Sequence, residues 1–125
     1  MKNGPDLFDV VELLVDLPEY HLRVGARGAI VHCHPDNTYE VEFTNEEGET
    51  LALCPLSPQQ FIVVWRARTR AWVPASEQIA ALLTRLPEEM EREVLDFARF
   101  LHARRQQQQG EAPVEPTRIA RTASS

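Results

Sequence analysis

The sequence is poor in the features that mark membrane proteins and disulfide-bonded proteins. Its 125 residues include only two cysteines, Cys33 and Cys54, which are too few for a disulfide scaffold. No apolar run approaches the roughly 20 residues that a membrane-spanning helix needs. The polar start at residues 1–6 leads into no signal-type apolar core. We therefore expect a soluble, cytoplasmic protein that does not associate with a membrane.

The common catalytic motifs are also missing. The sequence contains no Gly-x-Ser-x-Gly turn, phosphate-binding loop, paired-carboxylate motif or His-Glu-x-x-His pattern. Cys33 or Cys54 would act as a nucleophile only beside a base. Cys54 follows an apolar stretch and precedes Pro55, so a small buried apolar role explains it more simply. We predict a protein that is not an enzyme and that carries no cofactor.

Positive charge is scarce in the first half of the chain. Residues 1–65 hold three basic residues against eleven acidic ones, a balance of −8, whereas residues 66–125 hold ten against eight, a balance of +2. An acidic surface repels the phosphate backbone, so nucleic acid is not expected as a ligand of the first half. The remaining alternative is nucleic-acid binding through Arg66, Arg68 and Arg70 together with the arginines of the C-terminal tail.

The first segment, residues 6–66, has the pattern of short strands joined by turns. Tyr39, Val41 and Phe43 alternate with polar residues, as in a strand with one buried face. After a hairpin, Leu51 and Leu53 are predicted to continue this alternation on the return strand.

Turns separate these strands at several places. Residues 24–28 contain two glycines and predict a turn that uses positive φ. Five short strands cannot bury two independent sheet faces, whereas a bent sheet that closes into a small barrel can. We therefore predict a mainly β fold with an α appendage, in which residues 6–66 form a small barrel.

The second segment, residues 75–105, has helical periodicity. Ser76 is predicted to cap a first helix, and Pro87 suits the first turn of a second one. The first helix carries an apolar stripe at Ile79, Leu82, Leu83 and Leu86. On the second helix the residues predicted to share one face are Met90, Val94, Phe97, Ala98 and Leu101, with Leu95 and Phe100 on its flanks.

Two further segments complete the organisation of the chain. Residues 67–74 begin with alternating arginines and are predicted to be a basic linker. Residues 106–125 are rich in Gln, Pro, Ser and Thr and have few apolar side chains. That composition predicts a disordered tail.

Several runs in the first segment resemble one bacterial family of small domains. They are Phe8–Val11, Val15–Glu19, Leu22–Val31, Tyr39–Phe43 and Glu49–Leu53, and they resemble the domain of unknown function 4926 family. The resemblance implies an SH3-like small barrel, often encoded near toxin-like genes. It brings no catalytic residues.

The helical segment resembles a second family. The runs Leu83–Glu89, Glu93–Phe97 and Phe100–Leu101 are similar to the domain of unknown function 2281 group, whose members look like small antitoxin-associated helices. The resemblance implies that residues 75–105 form a two-helix, antitoxin-like segment.

Three features are candidates for binding a partner protein or a second copy of the chain: the apolar face of the second helix, two tryptophans on either side of the arginine-rich run 66–70, and an acidic hairpin tip. The residues concerned are Trp65, Trp72, Met90, Val94, Phe97, Phe100, Leu101, Glu46, Glu47 and Glu49. The apolar face must be covered by the barrel, by another subunit or by a partner protein. The tryptophans are anchors of either the core or an interface. The acidic tip is either a solvated loop or a docking point for a basic surface.

One short cluster has a metal-binding pattern. His32 and His34 would project to the same face of a strand, and two such histidines can chelate Zn²⁺ or Ni²⁺. A structural site needs about four ligands, so Asp36 or another subunit would have to contribute. The simpler interpretation is a solvated strand end, and no metal is expected.

Three functional classes follow from these observations. We predict a non-catalytic bacterial interaction or regulatory protein, antitoxin-like or immunity-like, that holds a partner through the helices or the acidic face of the barrel. The first alternative is an accessory protein of a metalloenzyme, in which the barrel docks on the enzyme and His32 and His34 deliver metal. The second is a nucleic-acid binder that uses the basic linker and the tail.

Overall fold

A computed structural model describes residues 4–111 as a six-stranded antiparallel sheet followed by two helices. The strands are β1 (Val10–Leu13), β2 (Arg27–Cys33), β3 (Tyr39–Thr44), β4 (Thr50–Leu56), β5 (Phe61–Arg66) and β6 (Ala71–Trp72). The helices are α1 (Ala75–Leu83) and α2 (Glu88–Glu111), and 3-10 turns at Pro18–Tyr20 and Pro58–Gln60 precede β2 and β5. Within the described range, neither helix combines the length and the apolar character that crossing a bilayer requires.

The strands lie in the order β4-β3-β2-β1-β5-β6. The first strand is therefore central, and it pairs antiparallel with both β2 and β5. The predicted mainly β architecture followed by two helices is confirmed, whereas the closed barrel is not. The sheet is open: β4 forms one edge, and β6 forms the other by pairing with β5 through Trp65 and Trp72.

The core is formed by alternate side chains of the sheet. Tyr39, Val41 and Phe43 are buried, as their spacing predicts. The prediction for β4 is wrong, because Leu51 and Leu53 are exposed. The register pairs Phe43 with Ala52, Val41 with Cys54 and Tyr39 with Leu56. Directly paired residues share a face of the sheet, so the buried residues of β4 are Ala52, Cys54 and Leu56.

The two glycines of residues 24–28 have different roles. Gly25 has a φ of +97° and forms the predicted turn. Gly28 lies within β2 rather than in a turn. A Cβ at Gly28 would stand 2.8 Å from both the Glu42 carbonyl oxygen and Val41 Cγ1. Gly28 is therefore required for the close approach of the β2 backbone to β3.

The buried side chain of Asp9 links the residues before β1 to the turn that follows β5. Asp9 is almost completely buried, and its two oxygens accept hydrogen bonds from the backbone N–H of Asp6 at 2.9 Å and of Ala67 at 2.8 Å. A buried charge needs such partners. The bond to Ala67 fixes the position of the turn that follows β5.

The segment predicted as a basic linker contains structure. Residues 67–70 form a tight turn and residues 71–72 form β6. The turn requires a positive φ of 55° at Arg70. The chain divides into two compact units at Arg85 and Leu86, so α1 belongs to the unit that contains the sheet and α2 belongs to the other. The sequence pattern instead predicts both helices within a single segment, residues 75–105.

The ends of the helices also differ from the predictions. Pro74, not Ser76, occupies the N-cap position of α1, and no side chain caps it. The break between the helices falls near Pro87, as predicted. The second helix continues past the predicted end at residue 105 to Glu111, since glutamine is a good helix former. The rest of the predicted disordered tail, residues 112–125, lies outside the described residues.

Candidate functional site

The apolar residues of α2 are mostly exposed. Phe97 and Phe100 are 60% and 55% exposed, and Met90 and Leu101 are also exposed. Val94 is half-buried. Single exposed apolar residues are common on protein surfaces, but a continuous row of them marks an interaction surface. We refer to the row Met90, Val94, Phe97 and Leu101 as the α2 stripe.

The α2 stripe lies along one side of the helix. Its members are separated by four, three and four residues, which keeps them on one face of an α-helix. The ring centroids of Phe97 and Phe100 are 6.0 Å apart in a stacked arrangement. The Arg104 guanidinium lies 5.8 Å from the Phe100 ring centroid, a cation–π contact. Phe100 and Arg104 thus form one border of the stripe.

Charge is distributed unevenly along α2. The first turn carries Glu88, Glu89 and Glu91, whereas the basic residues Arg104 and Arg105 lie in the C-terminal half. Two ion pairs lie along the helix, Arg92–Glu88 at 3.5 Å and Arg99–Asp96 at 3.8 Å, and all four of these side chains are largely exposed. Such exposed pairs contribute little to stability.

The two candidate tryptophans face each other across one hairpin. Trp65 on β5 pairs directly with Trp72 on β6, and Trp72 is exposed. The Arg27 guanidinium lies 5.5 Å from the Trp72 ring centroid and also forms a 3.3 Å ion pair with Glu12. Trp72 is therefore a surface residue of the sheet unit.

The acidic hairpin tip is organised by Asn45. Its side-chain oxygen accepts hydrogen bonds from the backbone N–H of Glu47 and of Glu49, both at 2.9 Å. Its amide nitrogen donates to the Glu49 carboxylate at 2.9 Å. Glu46, Glu47 and Glu49 are exposed. The loop is therefore held by side-chain hydrogen bonds, and its acidic side chains are accessible to a basic partner.

His32 and His34 lie side by side, with ring centroids 4.4 Å apart. The Nε2 atom of His34 lies 3.3 Å from the Glu40 carboxylate. Asp36, the proposed third ligand, instead accepts a hydrogen bond from the Thr38 backbone N–H at 3.2 Å, which closes its own turn. Within residues 4–111 no three His, Cys, Asp or Glu side chains form a group that would hold a metal ion.

The two cysteines differ in accessibility. Cys54 is completely buried, as predicted. Burial, together with the nearby Glu19 and Glu40 carboxylates, raises the pKa of the Cys54 thiol. A raised pKa disfavours the nucleophilic thiolate. Cys33 is exposed at the end of β2. The pKa of the neighbouring Tyr39 hydroxyl is raised, mainly by burial and to a smaller extent by Cys33 and Asp6.

The three arginines of the nucleic-acid alternative, Arg66, Arg68 and Arg70, differ in exposure. Arg66 is the last residue of β5 and is half-buried. Arg68 and Arg70 are exposed in the turn that follows. Two exposed arginines are a small electrostatic footprint for nucleic acid. The arginines of the tail lie outside the described residues.

Sequence reasoning missed the residue that attaches α1 to the sheet. The Arg85 guanidinium donates hydrogen bonds to the carbonyl oxygens of Ala81 at 2.6 Å, Pro58 at 2.9 Å and Phe61 at 3.1 Å. Burial lowers the pKa of Arg85. A lone arginine between two helices gives no sequence signal for this role, because its partners on the sheet side, Pro58 and Phe61, are backbone carbonyls distant in the chain.

The attachment by Arg85 leaves a cavity of about 230 Å³ between α1 and β5. Its lining includes Ile62, Arg66, Glu77, Ala81 and Arg85. The side of α1 that faces the sheet is therefore different from the predicted apolar stripe. In that stripe, Ile79 and Leu82 are exposed.

Comparison with known proteins identifies two family segments. Residues 7–63 match the family model described as Domain of unknown function (DUF4926), and residues 78–120 match the model described as Protein of unknown function (DUF2281). The two matches occur in the order that the resemblances predicted. No curated protein and no solved structure matches the chain.

Proposed function

We propose that this protein is a non-catalytic interaction protein that holds a partner protein through the α2 stripe. The main support for this proposal is that the stripe, and Phe97 above all, is exposed on a helix of 24 residues. Burial of an exposed aromatic side chain at an interface removes apolar surface from water and supplies a large part of the binding free energy. The accessible glutamates at the Asn45 hairpin tip offer a second contact that would orient a basic partner.

The specific form that we propose is a regulatory role of the antitoxin-like or immunity-like kind. In this mechanism the partner's active or binding surface is occluded when Phe97, Phe100 and Leu101 pack against it. The support is the match of residues 78–120 to the same family that the helical motif resembles. An amphipathic helix that docks into an apolar groove is a common mode of peptide recognition.

We also propose that the sheet is an open variant of an SH3-like fold. The support is the antiparallel pairing of β1 with β5, which makes the first strand an inner strand of the sheet. A 3-10 turn at Pro58–Gln60 joins β4 to β5. In this interpretation the sheet is a rigid support that presents the Asn45 hairpin tip and the surface around Trp72.

The experiment that tests the function is affinity capture from the native lysate with three versions of the full chain. The wild-type chain and a Leu95→Asp control are expected to retain the same partner, and the double variant Phe97→Asp/Leu101→Asp is expected to lose it. Leu95 is an exposed apolar residue of the same helix but lies about 100° around the helix from Val94. The proposal is rejected if the wild-type chain is monomeric and retains nothing that the double variant loses.

A further inference from the structure

We infer that the occupant of the α2 stripe is the α2 stripe of a second copy of this chain, with the two helices antiparallel. The inference rests on the proposed function, because it names the partner of that same surface. Two independent features of α2 lead to it: the spacing of the stripe and the distribution of charge along the helix.

The spacing of the stripe is the same in both directions along the helix. Met90, Val94, Phe97 and Leu101 are separated by four, three and four residues, the alternation that two packed helices share. A two-fold axis beside residues 95 and 96 therefore brings Met90 of one copy opposite Leu101 of the other, and Val94 opposite Phe97. A closed two-fold pair of this kind is the commonest arrangement of identical subunits.

The charges of α2 favour the same orientation. Residues 88–96 hold five acidic side chains and one basic one, a balance of −4, and residues 97–108 hold three basic side chains and no acidic one, a balance of +3. An antiparallel pair sets each acidic half beside a basic half, whereas a parallel pair sets acidic beside acidic. Charge complementarity therefore selects a second copy and its direction.

The ends of the helices meet in this register. When Met90 faces Leu101, Arg104 of each copy faces the first turn of the other helix, which carries Glu88 and Glu89. The helix dipole alone favours acidic residues at an N-terminus and basic ones at a C-terminus. The helix dipole does not explain why an apolar stripe lies exposed between the acidic and basic ends of α2. Pairing of two copies explains it, because the partner helix covers the stripe.

The first test is analytical ultracentrifugation of the full chain over a dilution series. The wild-type chain and the Leu95→Asp control are expected to form a dimer that dissociates on dilution, whereas Phe97→Asp is expected to be monomeric throughout. Circular dichroism of each variant establishes that the monomer is folded. A wild-type chain that remains monomeric at every concentration overturns the inference.

The second test determines orientation by disulfide formation in a Cys33→Ser background, since Cys54 is buried. Chains carrying Met90→Cys or Leu101→Cys are expected not to cross-link alone and to cross-link when mixed, one chain being tagged to identify the mixed dimer. A parallel pair would cross-link Met90→Cys to itself. That result overturns the antiparallel arrangement.

A charge-exchange experiment tests the ends of the helices. The variant Arg104→Glu/Arg105→Glu and the variant Glu88→Lys/Glu89→Lys are each expected to dimerise severalfold more weakly than the wild type, because each places like charges together. An equimolar mixture is expected to restore the dimer, since opposite charges then meet at both ends of the helix pair. Unchanged dimerisation of the single preparations contradicts the proposed register.

The inference and the proposed function fail in distinguishable ways. A monomeric wild-type chain that still captures another protein, sensitive to Phe97→Asp, rejects the second copy and supports the proposed function. A dimer of the wild type with no further partner supports the inference and identifies the protein held by the stripe as the chain itself. A monomer that captures nothing rejects both.

Discussion

The phenylalanines of the strands and those of α2 lie in opposite environments. Phe43 on β3 and Phe61 on β5 are 2% and 1% exposed, whereas Phe97 and Phe100 on α2 are 60% and 55% exposed. A bent sheet directs alternate side chains into a common interior. A helix buries its apolar stripe only when another element packs against it. The comparison teaches that the strand phenylalanines stabilise the fold, whereas those of α2 are available for binding.

The largest expected effect separates a core phenylalanine from an exposed one. Phe43→Ala is expected to lower the free energy of unfolding by about 3–5 kcal/mol, because it leaves a cavity in the core. Phe97→Ala is expected to change it by less than about 0.5 kcal/mol in dilute solution. Urea unfolding of both variants measures the difference. Equal losses would remove the contrast between sheet and helix.

The same pair of variants also tests pairing of α2. If the stripe is covered by a second copy, the stability lost in Phe97→Ala grows with protein concentration, because association stabilises the bound state by mass action. The stability lost in Phe43→Ala includes a contribution that does not depend on protein concentration, because Phe43 packs within the core of a single chain. Urea unfolding at several protein concentrations distinguishes the two.

Close packing in the sheet is tested at Gly28. Gly28→Ala is expected to cost about 1–3 kcal/mol, since the new methyl group meets a backbone carbonyl that cannot move freely. Gly4→Ala is the matched control, because nothing lies within 4 Å of the position of its Cβ. Thermal unfolding is the measurement. A Gly28→Ala protein that melts with the wild type would contradict the close approach of β2 to β3.

The Arg85→Met variant tests whether α1 and α2 belong to separate units. Arg85→Met is expected to lower stability by about 1–3 kcal/mol, because it removes charged hydrogen bonds to backbone carbonyls. Amide hydrogen exchange is expected to accelerate in α1 and to stay unchanged in α2. Arg92→Met, on the exposed surface of α2, is the control. Faster exchange in α2 of the Arg85→Met chain would show that the helices open together.

The smallest expected effect concerns exposed charge. A double-mutant cycle on Glu88 and Arg92 is expected to give a coupling of about 0.3–0.5 kcal/mol, which high salt reduces. The pair is 3.5 Å apart and largely exposed on both sides. The cross-strand pair Glu12 and Arg27 is expected to contribute about 0.2–1 kcal/mol. A coupling above that range for α2 would indicate that a partner buries the helix surface.

The elements of the fold were predictable where the pattern is local. The alternation at Tyr39, Val41 and Phe43 depends on a period of two residues, and the α2 stripe depends on helical spacing. The face of β4 was not predictable in this way. A register shift falls between Phe43 and Thr44, and a slip of one residue exchanges the two faces of a strand. The sequence around Leu51 and Leu53 does not contain that information.

The remaining differences have a common physical cause. Gly28 and Arg85 act on backbone atoms that lie far away in the chain, at Glu42 for the first and at Pro58 and Phe61 for the second. Every residue carries the same backbone carbonyl group, so a sequence pattern cannot show which carbonyl a distant side chain will contact. For the candidate site, the spacing predicted which residues of α2 share a face, while the identity of the partner depends on a molecule outside the chain.

The central position of β1 has a consequence for the synthesis of the protein. Because β1 pairs with β5 as well as with β2, one edge of the first strand has no partner until the ribosome has produced Arg66. Asp9 likewise waits for the N–H of Ala67. Such long-range pairing delays folding. A nascent chain halted before β5 would therefore expose an unpaired edge of β1.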